Sequence, residues 1–359
     1  MSSRPSSHTP VVLCRRFFLT AAAKSPDLHT PVMPSRQIWR TMARRSILFI
    51  GGSLNQTTML HAVARELLEH ECAFTPYFGD GPVRWAAACG LLDFTILAGQ
   101  ARRRTLVYLK AHGLALDERG ARGPYHLVVT GSDLIVPADL GGRPLLLVQE
   151  GMTDPEDWRY HLVRRLRLPR WLANTSMTGL SHAYARFCVA SEGYRELFIG
   201  KGVRPERLVV TGLPNFDDAA RHLENDFPHR GYVLGATSCL RETGKPEDRR
   251  GFIRKTLRVA DGRPVIFKLH PNECVDRARR EIEREAPQSL VFAEGNVHHL
   301  VANCEALVAK YSSVVYLAAA LGKELHCDLA PEVVGRLLPV QNGGRSAAHI
   351  AAVCREVLA

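Results

Sequence analysis

The chain has 359 residues, 46% apolar and 23% charged, enough for two domains with a core each and the profile of a globular rather than a fibrous protein. Its formal charge of +11 is uneven: residues 1–44 hold seven basic side chains against Asp27 alone, leaving 40 basic and 35 acidic for the rest. No stretch approaches the roughly 18 consecutive apolar residues of a membrane span, no basic motif with interleaved aromatics marks a nucleic-acid surface, and the nine cysteines are scattered singly, as in a reduced cytoplasmic protein.

Residues 1–41 are rich in Ser, Pro, Thr and Arg without periodicity, and read as a disordered tail or an over-long start, with Met42 as the expected biological start. Arg15-Arg16-Phe17-Phe18-Leu19-Thr20 has the look of a twin-arginine export signal. The apolar stretch of roughly 7–15 residues that must follow is missing, because Ala21-Ala22-Ala23 runs into Lys24, Ser25 and Pro26.

From Arg45 short apolar runs alternate with helical patterns, which predicts parallel sheets covered on both faces. The first series of strands is Ser46–Ile50, Ala73–Phe78, Phe94–Leu97, His126–Thr130, Leu145–Gln149, Phe187–Ala190 and Leu208–Thr211. Within it, Leu60, Val63, Ala64 and Leu67 share one face of a helix over Thr57–Leu68. A charged connector near residues 218–230 leads to a second series, Tyr232–Ala236, Pro264–Leu269, Leu290–Phe292, Ala306–Ala309 and Leu325–Leu329. The expected fold class is α/β, with two Rossmann-like domains, 42–218 and 219–359, facing across a cleft. A single sheet of all twelve strands is the alternative, though sheets that wide are uncommon.

Ligands of open parallel sheets bind beyond the carboxyl ends of the strands. After the first strand comes Gly51-Gly52-Ser53-Leu54-Asn55-Gln56-Thr57. Gly52 lets backbone approach a ligand and Ser53 opens a helix, so both are candidate sugar or acceptor contacts, with a plain tight turn as an equal reading. The GxGxxG fingerprint and the P-loop are both absent. In the second half, Phe267-Lys268-Leu269-His270-Pro271-Asn272 ends a buried strand. A strand-end His270 can stabilise phosphate charge on a leaving nucleotide, with Lys268 as a further substrate contact; a helix-capping His is the alternative. Next, Lys310-Tyr311-Ser312-Ser313 runs into an Ala-rich helix closed by Gly322. Ser312 and Ser313 could cradle a diphosphate, or simply cap a packing helix.

Several of these segments carry a resemblance. Val148-Gln149-Glu150-Gly151-Met152, Ala173-Asn174-Thr175-Ser176-Met177-Thr178, Val209 to Asp217, His270-Pro271-Asn272 and Ser312–Lys323 recur in that order over residues 45–330. Over that span the chain resembles the GT-B superfamily of non-hydrolysing UDP-N-acetylglucosamine 2-epimerases, capsule-type glycosyltransferases and glycerophosphotransferases. The resemblance implies a nucleotide-sugar site in the cleft, no cofactor and no metal. Three departures bear on activity. Trp171 and Leu172 stand where the epimerases carry an acid, Ala236-Thr237-Ser238-Cys239 where they carry a His, and Leu317 where a Glu often meets the nucleotide ribose. A conventional epimerase is therefore disfavoured.

Transfer to an acceptor hydroxyl needs a base. Glu150 and Asp154 lie on a strand-end loop facing the cleft, and one of them is the expected base; Asp133 is a weaker candidate for substrate binding. His298-His299 lack a third ligand nearby in sequence and are left as surface or cleft histidines. The expected protein is a cytoplasmic glycosyltransferase-like enzyme of cell-surface polysaccharide or glycolipid synthesis. Its expected partners are a nucleotide-sugar donor and a glycan or lipid acceptor, with no nucleic acid. A homodimer is a further expectation, as is peripheral contact with the inner membrane face. For the basic run Arg159–Arg170 a solvated helix face is the alternative to that membrane contact. A divergent epimerase and a non-catalytic nucleotide-sugar-binding protein remain as alternative functions.

Overall fold

The structure, a computed structural model, describes residues 44–359 apart from 94, 141 and 244. The readings made of residues 1–41 lie outside the described residues. Two parallel sheets follow one another along the chain. The first contains β1 (Ser46–Gly51), β2 (Glu71–Pro76), β3 (Leu127–Thr130), β4 (Leu145–Val148), β5 (Arg186–Val189) and β6 (Leu208–Val210), in the order β2-β1-β3-β4-β5-β6. The second contains β7 (Tyr232–Ala236), β8 (Val265–Lys268), β9 (Leu290–Phe292), β10 (Cys304–Ala309) and β11 (Glu324–His326), in the order β11-β10-β7-β8-β9. Strands such as β3 and β4 are buried throughout. That is why they read as continuous apolar runs rather than alternating ones.

One expected strand does not form. Thr95, Ile96 and Leu97 lie in a turn. Ile96 packs on the backbone of Gly52: a Cβ added there would come within 2.7 Å of the isoleucine Cδ1. The apolar character of that run serves a loop-on-loop contact, which the sequence pattern cannot separate from a short buried strand.

Helices cover both sheets. In the first half they are α1 (Leu54–Arg65), α2 (Gly81–Ala88), α3 (Gly99–Ala111), α4 (Trp158–Leu166) and α5 (Glu192–Lys201). In the second they are α6 (Arg249–Ala260), α7 (Val275–Glu285), α8 (Val297–Asn303), α9 (Val314–Ala320) and α10 (Pro331–Leu337). The last helix, α11 (Ser346–Leu358), returns to the first sheet. Its Ile350, Ala351 and Cys354 are 0% exposed and join the core of β1, β3, β4 and β5. The return is pinned at Asp217, whose carboxylate accepts from Ser346 N at 2.8 Å and whose carbonyl accepts from Asn342 N at 2.9 Å. Residues 346–358, expected with the second half, thus pack with the first.

The halves are in direct contact beside these crossings. Tyr194 of α5 and Tyr316 of α9, both buried, share a 2.6 Å hydroxyl hydrogen bond. Gly193 packs so closely on α10 that a Cβ would sit 2.0 Å from the Arg336 carbonyl oxygen.

Candidate functional site

Each sheet reverses its strand order once, between β1 and β3 in the first and between β7 and β10 in the second. Loops diverge at such points and leave a crevice. Gly51–Ser53 follows β1, and Lys310–Ser313 follows β10.

In the first half a small hydrogen-bonded frame forms around Glu150. Ser53 caps α1, accepting from Gln56 N at 3.0 Å, and donates its hydroxyl to Glu150 Oε1 at 2.6 Å. Gln56 accepts from Gly52 N through Oε1 at 2.7 Å, which turns its Nε2 toward Glu150 Oε2, 2.6 Å away. The carboxylate is therefore oriented by two neutral donors and partly exposed. Each oxygen keeps a further lone pair for a ligand. Asn215 reaches the same frame by donating to Asn55 Oδ1 at 2.6 Å, and Asn55 donates to the Glu150 carbonyl at 3.3 Å.

The loop after Glu150 crosses to the second half. Gly151 lies against Ser313, a Cβ placed on it standing 3.7 Å from the serine Cβ. Tyr311 donates its hydroxyl to the Thr153 carbonyl at 2.6 Å. Asp154 receives Thr175 Oγ1 at 2.6 Å and faces Lys245 Nζ at 3.8 Å. Ser312 and Ser313 are partly exposed, and Ser313 makes no capping hydrogen bond to α9. The capping alternative for that serine is thus set aside. The structure brings Gly52, Ser53 and Glu150 together and sets Asp154 and the paired serines beside them.

His270 follows the end of β8. Its Nδ1 accepts from Asn272 N at 3.1 Å, which assigns the ring hydrogen to Nε2 when neutral; Nε2 lies 3.8 Å from Cys239 Sγ. Burial, with Lys268 next in effect, holds the imidazole below its usual pKa, so it presents a neutral N–H donor. Its contacts are with residues 237–239 and 271–273 rather than with Glu150 or the serines. Lys268 donates to the carbonyls of Leu269 and Ala293, each at 2.9 Å, and burial lowers its pKa. Lys268, Asn272 and Glu294 line a cavity of about 640 Å³ that Gln100 and Arg104 of α3 also line.

Asp133 does not face this space. It is 0% exposed, and its two oxygens accept from Gly179 N at 2.9 Å and Ser181 N at 3.0 Å. An inward carboxylate holding two backbone amides is a brace for the 179–181 loop, and the expectation of a substrate contact is corrected. The positions that depart from the epimerase pattern have other work. Leu317 is buried in the core of the second half. Thr237 accepts from His270 N and donates to Glu273, and Ser238 donates to Glu247 at 2.6 Å. Both glutamates meet Arg249, with Glu247 Oε2 at 3.0 Å. Trp171 and Leu172 point outward, 41% and 40% exposed.

Gln56, Asn55, Thr175, Tyr311 and Arg104 were not singled out from sequence. Gln56 and Asn55 stood in the Gly51–Thr57 segment and Asn215 in the Val209–Asp217 segment, so their neighbourhoods were legible though their partners were not. His298 lies beside His222, the rings tilted by 36° with centroids 4.6 Å apart. Among the described residues no group of three or more His, Cys, Asp or Glu is arranged to hold a metal.

This architecture recurs in solved structures. S. aureus MnaA, in a co-structure with UDP, is similar with a TM-score of 0.59 at 10% identity, over 88% of this chain and 97% of that one. The UDP-GlcNAc 2-epimerase from Neisseria meningitidis, bound to UDP-GlcNAc, has a TM-score of 0.54 at 12% identity, over 87% of this chain and 100% of that one. The chain has the GT-B fold. A weaker likeness, TM-score 0.47 at 16% identity over 87% of this chain and 90% of the other, is to Anabaena Alr3699/HepE in complex with UDP and glucose. No family model matches the chain, and no curated protein matches it in sequence.

Proposed function

We propose that this GT-B protein is a glycosyltransferase that moves a sugar from a nucleotide diphosphate donor to a hydroxyl of a glycan or lipid acceptor in cell-surface synthesis. The reading rests on one observation: Glu150 is fixed by Ser53 and Gln56, each at 2.6 Å, on a loop that runs straight to Ser313. In the proposed reaction Glu150 takes the acceptor proton and the acceptor oxygen bonds to the anomeric carbon. The bond from that carbon to the diphosphate breaks, and the nucleotide leaves with the electron pair. Ser312, Ser313 and the Nε2–H of neutral His270 donate to the departing phosphates. Asp154, tied to Thr175 and Lys245, holds the acid loop in place. Donor and acceptor are both substrates, and no resident metal or cofactor enters the proposal.

A second reading, conversion of a UDP-sugar without any acceptor, is favoured by the likeness to the Neisseria epimerase. The departures at Trp171, Leu172 and Ala236–Cys239 weigh against it. The test is a thermal-shift screen with UDP, CDP, GDP and their sugars, followed by turnover assays of wild type and Glu150→Gln. A ligand of the folded state must raise the melting temperature. The variant is expected to melt near the wild-type temperature and to lose about 10²–10⁴-fold in turnover. Equal turnover of both would sink Glu150 as the base, while conversion of UDP-GlcNAc with no acceptor present would establish the second reading.

A further inference from the structure

The surface beside the acid loop has a character that sugar chemistry does not use. From Trp158 to Ser191 the chain contains no acidic residue, while Arg159, Arg164, Arg165, Arg167 and Arg170 fall within its first thirteen positions. Helix α4 occupies the start of this run. Asp157 caps it, accepting from Arg159 N at 2.9 Å and Tyr160 N at 3.1 Å. Its inner face is anchored: Tyr160 and Val163 are 1% and 3% exposed and pack with Ala173 and Met177 in a small core of their own.

The outer face is apolar where a solvated helix would be polar. Trp158, Leu162 and Leu166 follow at intervals of four, so they form one ridge, and they are 68%, 42% and 57% exposed. Leu168, at 37%, and Trp171, at 41%, are further exposed apolar side chains in the segment that follows the helix. Arg165 and Arg167 are exposed and Arg159 is half-exposed; among the described residues none of the three enters an ion pair. Contiguous apolar surface of this kind marks an interaction site. Arginine stems lie along apolar surface while their heads stay in water, and Trp prefers the polar–apolar boundary. A rigid helix with a Trp/Leu ridge, a rim of arginines and no acid fits the headgroup layer of an anionic bilayer.

We propose that α4 and the turn that follows it form a docking surface for an anionic lipid bilayer. The surface is coupled to the cleft. Asp154 lies four residues before Trp158, and Thr175, four residues after Trp171, holds Asp154 through two hydrogen bonds of 2.6 and 2.8 Å. Docking there sets the acid loop against the lipid headgroups, where a membrane-borne acceptor hydroxyl would arrive. The docking itself does not depend on the transfer reaction, and its test does not measure turnover.

The full chain is sedimented with vesicles of phosphatidylcholine alone and of phosphatidylcholine mixed with phosphatidylglycerol. Binding to the mixed vesicles only, falling as salt rises, is expected. The R159Q/R165Q/R167Q chain should bind them about a hundredfold more weakly, at roughly fivefold for each arginine near the surface. A chain carrying R4Q/R15Q/R16Q should bind close to wild type. Circular dichroism melting of each variant controls for folding. Independently of these variants, brominated lipid should quench the fluorescence of the W39F/W85F chain, in which Trp158 and Trp171 remain. The proposal is overturned if the helix variant binds as wild type, if the tail variant alone abolishes binding, or if no quenching is seen. It is equally overturned if velocity sedimentation without lipid shows a dimer that Trp158→Ser dissociates, since the ridge would then face a second copy.

Discussion

Two groups of carboxylates are partnered in opposite ways. Around Glu150 the partners are neutral, Ser53 and Gln56, and the partly exposed carboxylate keeps lone pairs free. Behind β7 and β8 the carboxylates of Glu247 and Glu273, 1% and 0% exposed, face the guanidinium of Arg249 at 5%. One region is arranged toward something outside the protein, whereas the other is arranged toward itself. The lesson is that an acid's chemistry follows from its partners more than from its place at a strand end.

The largest expected effect would break the second region. Glu273→Ala removes one of the two buried carboxylates paired with Arg249, together with the acceptor for Thr237 Oγ1 and His270 N, and should cost about 3–5 kcal/mol in urea denaturation. A cost under about 1 kcal/mol would remove the contrast. Next comes Asp133, which belongs with the self-directed group although it sits at a first-half strand end. Asp133→Asn replaces one acceptor oxygen with a donor beside the Gly179 or Ser181 N–H, with an expected cost of about 1–3 kcal/mol by the same measurement. Unchanged stability would return Asp133 to the cleft.

A pH effect sharpens the comparison from a third position. Burial first, and then His222, hold His298 near a pKa of about 4 against an ordinary 6.5. Below pH 6.5 the unfolded chain takes up a proton that the folded chain refuses, so stability falls as pH drops from about 6.5 toward 4. The contribution is about 1–3 kcal/mol across that window. The stability of His298→Asn relative to wild type should rise by that amount as pH falls from about 6.5 to 4, read from melting curves; a difference that does not change with pH would remove His298 as the cause. The smallest effect is expected at Lys245, whose 3.8 Å pair with Asp154 is partly exposed, with side chains 27% and 35% accessible. Lys245→Ala should cost no more than about 1 kcal/mol, and a larger loss would mean that this pair holds the halves together.

Much of the sheet architecture was legible because parallel strands buried on both faces leave unbroken apolar runs. Tyr232–Ala236, buried throughout, forms at the position that the pattern predicts, and the partly exposed edge strand Leu290–Phe292 forms where its apolar run lies. Thr95–Leu97 failed because a loop packed on Gly52 has the same composition as a short strand. At the site, Glu150 and Ser53 were visible through strand ends and a helix cap. Gln56 was not, since its function depends on Gly52 N fixing the orientation of its amide. Asp133 was misread because Gly-Ser-Asp after a strand looks alike whether the carboxylate turns inward or outward. The return of α11 had no local signature, because an amphipathic helix does not name the sheet it will cover.

That return has a mechanical consequence. The chain leaves the first sheet near Asp217 and comes back to it through residues 342–346, and Asp217 clasps both passages. The second half is therefore carried on two adjacent tethers rather than one, like a door hung on paired pins. Any shift of the second half against the first must therefore be taken up at Asp217 and at the Tyr194–Tyr316 and Gly193–Arg336 contacts beside it.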